Sequence, residues 1–127
     1  MEFHPKLYYN RKSVIKGGYI MEREYFDEVT VRTEDEQDIK LTYYLLKSTV
    51  SDGVAGLRVY GVEIVKELMS GKHGKEAKLV RELFIKKAEA KDFLASLCRN
   101  TVTPMGLKYV ISDYFFQKTQ ENVVNSY

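Results

Sequence analysis

Two amphipathic patterns in residues 87–118 restrict the fold more than any other part of the chain. Ala90, Phe93, Leu94, Leu97 and Cys98 recur at the three-and-four spacing of one helical stripe, and Leu107, Val110, Ile111, Tyr114 and Phe115 form a second. Between them stands Asn100-Thr101-Val102-Thr103-Pro104. Asn100 suits the left-handed position that ends a helix. Thr103 and Pro104 suit an N-cap and a first helical position, where proline lacks only a donor that would be orphaned anyway. The stretch therefore reads as a helical hairpin, with a first helix from about Ala88 to Arg99 and an apolar side that another element must cover.

Upstream residues supply that cover. Residues 39–48 are rich in β-branched and aromatic types, with Ile39, Leu41, Tyr43 and Leu45 on one face. Residues 57–67 alternate more cleanly, setting Tyr60, Val62 and Ile64 against Leu57, Val59, Glu63 and Val65. Residues 77–85 give a third strand, with Leu79, Leu83 and Ile85 opposite Val80 and Phe84, although a helix also fits them. Ser51-Asp52-Gly53 and Gly71-Lys72-His73-Gly74 are turn sequences, and short connections favour antiparallel hairpins. A weaker alternation over Phe26–Arg32 leads into the acidic run Glu34-Asp35-Glu36-Gln37-Asp38, a solvated turn. The expected fold is α+β: an antiparallel three- to four-stranded β-meander followed by a C-terminal helical hairpin packed on one face.

Residues 1–24 differ from the rest, combining Pro5, Gly17-Gly18 and scattered apolar residues without a sustained period. They read as an irregular or partly ordered N-terminal arm, ahead of a single domain over 25–119 and a C-terminal tail over 120–127. With 127 residues, one domain with a real core is expected. Neither a membrane span nor a signal peptide is visible, and a single cysteine, Cys98, fits a reducing compartment, so the expected location is the cytoplasm. Ten tyrosines without a tryptophan suggest many half-buried positions, since tyrosine tolerates the border between core and water.

Two patches together carry a family resemblance. They are Tyr60-Gly61-Val62-Glu63-Ile64 and, downstream, Asn100-Thr101-Val102-Thr103-Pro104 followed by Leu107, Val110, Ile111 and Asp113-Tyr114-Phe115. The chain resembles an uncharacterised family of short Firmicutes proteins classified as a domain of unknown function, over roughly residues 39–116. Tyr43-Tyr44-Leu45-Leu46 also fits it. The resemblance implies the strand and helix–Asn-x-Val-x-Pro–helix ending, and brings no catalytic residues.

Chemistry is hard to find in the sequence. His4, His73 and Cys98 fall in an arm, a turn and a helix core, without metal-ligand spacing. Cys98 sits on an apolar stripe, where a thiol is inert. Gly71-Lys72-His73-Gly74-Lys75-Glu76 has the wrong spacing for a phosphate loop. Glu63, mid-strand among apolar residues, is explained by a cross-strand cation such as Arg81 or Lys47, and Asp113 borders the second helical stripe. No catalytic, cofactor or metal residues are expected.

Surfaces are more informative. If Tyr60, Val62 and Ile64 meet the helices, then Tyr44, Leu46, Val59, Val65, Val80 and Phe84 point the other way, too much apolar surface to leave in water. The arm, a second copy or another protein would cover that face, and Gly61 would leave a gap for a ring such as Tyr44. The expectation is a non-enzymatic protein-interaction module acting through the exposed sheet face and the arm, with a protein partner or itself as a homodimer. The alternative is weak nucleic-acid binding through the basic region 72–91, with Lys72, Lys75, Lys78, Arg81, Lys86 and Lys87. A small-molecule enzyme is third, and requires Glu63, Asp113 and tyrosines to meet in one pocket.

Overall fold

The computed structural model describes residues 12–16, 19–50, 56–70 and 74–125, with side chains described for 21–50, 56–70 and 74–121. Four long strands, β2 (Tyr19–Arg32), β3 (Asp38–Val50), β4 (Leu57–Leu68) and β5 (Glu76–Phe84), are followed by helices α1 (Lys87–Arg99) and α2 (Leu107–Asn125). A short β1 (Lys12–Lys16) adds a fifth strand beside β2, and the antiparallel order β1-β2-β3-β4-β5 is a simple meander. The α+β expectation holds.

The boundary expected at residue 24 does not fall there. Lys12–Lys16 pairs with β2, and β2 runs through position 24 without a break, so much of the anticipated arm is sheet. Alternation failed to reveal this strand because its partner's register is interrupted: a bulge at Phe26 separates the pairs Tyr25↔Tyr44 and Asp27↔Tyr43. Two consecutive residues then share one side, which breaks period two. Residues 1–11 lie outside the described residues. The tail expected from residue 120 is also helical as far as Asn125.

The core lies between the sheet and α1. Ile39, Leu41, Tyr43 and Leu45 of β3, with Val62 and Ile64 of β4, pack against Ala90, Phe93, Leu94 and Leu97 of α1 and Leu107 of α2. Tyr43 is wholly buried, and its hydroxyl donates 2.9 Å to the Val102 carbonyl in the connector, which fixes the sheet to the turn between the helices. Burial, with a smaller effect of the nearby Cys98, raises its pKa far above the ordinary tyrosine value.

The connector departs from its expected geometry. Thr101, not Asn100, takes the left-handed conformation, at φ 48°. The Val102 N–H donates to Leu97 O at 3.0 Å and the Thr101 N–H to Cys98 O at 3.1 Å, the paired bonds of a Schellman ending. Asn100 caps through its side chain instead, with Nδ2 donating 3.0 Å to Ser96 O. Thr103 opens a turn closed by the Gly106 N–H at 3.0 Å, so α2 starts at Leu107 rather than at Pro104. The hairpin is also looser than expected. α2 touches the core through Leu107, Val110, Ile111, Tyr114 and a ring cluster of Phe84, Phe93, Tyr114 and Phe115. From Phe116 to Glu121 every residue is exposed.

Candidate functional site

Strand register decides which side chains share the sheet face away from the helices. Tyr44, Leu46, Val59 and Val65 are there, as expected. Val80 and Phe84 are not. Val80 pairs with Val62 and Phe84 with Tyr60, which carries both to the helix face, where Phe84 is buried in the core. Alternation identifies the residues that share a side of β5, but pairing with β4 selects the side.

That face is also not the open apolar surface expected. Leu46 is 0% exposed, and Tyr44, Val59 and Val65 are each below 9%. Gly61 leaves no gap for a ring either: a Cβ there would collide with the backbone carbonyls of Val80 and Arg81. The glycine admits the close approach of β5, whose register shifts at this point.

In place of bare apolar surface there is a charged cluster. Glu63 is buried, and its partner is neither Arg81 nor Lys47: Arg23 Nη1 donates 2.7 Å to Glu63 Oε1 from β2, across the intervening β3. The guanidinium crosses the Tyr44 ring at 4.2 Å from its centroid, a cation–π contact that bridges the two strands. Tyr25 meets Tyr44 edge-on at 6.3 Å, and its hydroxyl donates 3.1 Å to Glu28. Desolvation, reinforced by Glu28, pushes the Tyr25 pKa up to about 12. Lys47 instead pairs with Glu24 at 2.8 Å, and that contact lowers the Glu24 carboxyl pKa. Beside the cluster is a cavity of about 420 Å³ lined by residues of β2, β3, β4 and β5 together with Lys75. The sequence marked Glu63 and Tyr44. It gave no sign of Arg23, because residue 23 fell in the supposed arm.

The remaining candidates are dispersed. Asp113 is exposed on α2, on the other side of the sheet from Glu63, so the two carboxylates do not converge. Cys98 packs against the core, and burial, with Asp27 nearby, raises its thiol pKa. No cluster of metal-binding side chains occurs among the described residues. The basic residues do not form one surface. Lys75 borders the cavity, Lys78 lies on the helix face opposite Ile64, Lys86 lines a groove with Tyr114 and Phe115, and Lys87 lies close enough to Glu24 to lower its pKa. Arg81 is at the β5 shift, and Lys72 lies outside the described residues.

Large apolar residues are exposed on β4 and β5 and the segments that follow them, at Leu57, Met69, Leu79 and Ile85, and on α2 and the turn before it. Met105, in the turn before α2, is 73% exposed, and Tyr109 and Phe116 are each 63% exposed, on the helix side opposite Leu107, Val110, Ile111 and Tyr114. This outward stripe was missed because the inward stripe dominated the sequence pattern.

A family model for a family of unknown function matches residues 22–117, from near the start of β2 through the packed part of α2. The chain belongs to DUF6514. The DUF6514 match reaches further upstream than the expected resemblance over 39–116, and so takes in Arg23 and the bulge at Phe26. No curated protein and no solved structure matches the chain. No helix among the described residues is long and apolar enough to cross a membrane.

Proposed function

We propose that this DUF6514 chain is a non-enzymatic interaction module of the cytoplasm that pairs with a second copy of itself through the outward side of α2. The supporting observation is the seam formed by Tyr109, Ser112 and Phe116 on a helix that outruns its own packing. Their three-and-four spacing is that of a coiled-coil contact line, and it continues in sequence through Thr119 to Val123. Tyr109 and Phe116 are mostly in water, with the small Ser112 between them. From Phe116 to Glu121 every side chain of α2 is exposed, so a partner helix would supply packing that this stretch lacks.

Charge favours a second copy. In a parallel pair, the residue preceding one seam position meets the residue five further along in the partner helix. Here that places Lys108 against the partner's Asp113, and Asp113 against the partner's Lys108. Asp113 thereby takes a role in recognition rather than in acid–base chemistry. The single cysteine supports the cytoplasmic part of the reading.

Light scattering coupled to size exclusion tests the pairing. The full chain is expected to run as a dimer, and Phe116→Glu, Lys108→Glu and Asp113→Lys each to shift it towards monomer. Combining Lys108→Glu with Asp113→Lys restores the opposite charges and is expected to restore the dimer. A monomeric wild-type chain at its highest soluble concentration overturns the proposal, as does a dimer indifferent to Phe116→Glu.

A further inference from the structure

The cavity on the face away from the helices has a definite construction. Glu28, Thr42, Val65 and Ala77 occupy one row across β2 to β5, since Glu28 pairs with Thr42, Thr42 with Val65 and Val65 with Ala77. In the middle of that row, threonine, valine and alanine form a low floor. Along one side stands the taller row of Tyr25, Tyr44 and Glu63, with the Arg23 guanidinium laid over Tyr44. Along the other, Lys40 faces Glu67 across the β3–β4 ladder. The hollow is therefore a consequence of side-chain length on a pleated sheet. Its volume of about 420 Å³ lies within the range of roughly 300–1,000 Å³ usual for small-molecule sites.

Its lining carries charges of both signs. Arg23, Lys40 and Lys75 are balanced by Glu28, Glu63 and Glu67. Arg23 is committed to Glu63, and Glu28 accepts from Tyr25. Lys40, Glu67 and Lys75 form no ion pair shorter than 4.0 Å among the described residues, and they stand at the rim. A guest carrying one charge would bring it beside a like charge at this rim. A guest with both charges can satisfy ammonium and carboxylate together, while a flat apolar body lies on the Thr42–Val65–Ala77 floor between the two taller rows.

We infer that this cavity is a binding site for a small zwitterion with a flat apolar group, of the free aromatic amino-acid kind. Lys75 and Lys40 hold the carboxylate, Glu67 takes the ammonium, and the buried Arg23–Glu63 pair keeps the Tyr44 wall upright. The site is independent of α2 and of self-pairing, since it lies on the other side of the sheet.

Amide chemical-shift titration of the ¹⁵N-labelled full chain tests the assignment, with L-phenylalanine, phenylacetate and phenethylamine as probes. L-Phenylalanine is expected to give saturable shifts around Tyr25, Thr42, Tyr44, Val65 and Ala77. The two singly charged analogues are expected to bind roughly tenfold more weakly or worse, the equivalent of about 1.4 kcal/mol. Ala77→Phe fills the floor from an exposed position and is expected to abolish the shifts, while the rest of its spectrum reports whether the fold is kept. Glu67→Gln is a second variant, expected to weaken L-phenylalanine and to strengthen phenylacetate, whose carboxylate no longer meets a like charge. The inference is overturned by absence of saturable binding of L-phenylalanine, by equal binding of either analogue, or by shifts that persist in a folded Ala77→Phe chain.

Discussion

Arg23 and Glu63 form a charge pair held largely out of water on a sheet face, with side-chain exposures of 25% and 8%. Such a pair gains little over a well-packed apolar one, yet removing one member leaves a buried charge without compensation. Arg23→Met alone is expected to lower the unfolding free energy by about 3 kcal/mol, because it strands Glu63. Arg23→Met combined with Glu63→Leu is expected to recover most of that loss. Urea unfolding of the two single variants and the double variant measures the coupling, and simple additivity would contradict it. Glu63 was legible in the sequence as a carboxylate needing a partner. Arg23 was not, because the partner reaches it across an intervening strand, and a spacing of 40 residues carries no local signal. Cys98 belongs to the same scale: it lies half-buried at the edge of the core, where burial and the nearby Asp27 raise its thiol pKa and disfavour the thiolate.

At the scale of elements, the strands and helices follow from local pattern, while their ends follow from hydrogen bonds that the pattern does not contain. The segment joining the helices shows this most directly. Threonine at φ 48° is an unfavourable occupant of a position that glycine takes readily. Thr101→Gly is expected to stabilise the chain by about 1 kcal/mol, read as a rise in the thermal midpoint. Loss of stability would show that the Thr101 hydroxyl, which donates 2.7 Å to Asn100 O, matters more than the backbone strain. Strand β2 was half hidden for a related reason. The bulge at Phe26 puts two successive residues on one side, so Tyr19–Arg32 never shows one unbroken alternation. Gly61 had a visible signature, a glycine inside a strand, but its role depends on the carbonyls of the next strand rather than on a neighbouring ring.

For the whole molecule, the main consequence is that packing is uneven. One side of the sheet is sealed by α1 and the start of α2, the other carries the charged cluster and its cavity, and α2 continues beyond both. If two copies pair through that helix, folding and association are linked by mass action. The thermal midpoint should therefore rise with protein concentration. Each tenfold increase contributes about 1.4 kcal/mol to the dimer's free energy of dissociation and unfolding. Calorimetry across a concentration series reads this directly, and a midpoint independent of concentration would oppose self-pairing. Phe116→Glu should remove the dependence without changing the fold, since Phe116 touches solvent rather than the core.

By itself the sequence determined the α+β class, the order of strands before helices, and membership of a family without assigned function. It also determined the residues on the inner side of β3, β4 and α1. These are consequences of periodicity, and periodicity is local. Tertiary structure alone decided that Val80 and Phe84 face the helices, that Tyr44 and Leu46 are covered, and that Arg23 reaches Glu63. It also decided that the free side of α2 points into solvent. Those outcomes depend on register and on contacts between residues far apart in the chain, and a one-residue slip in pairing would reverse the faces without altering a single local preference.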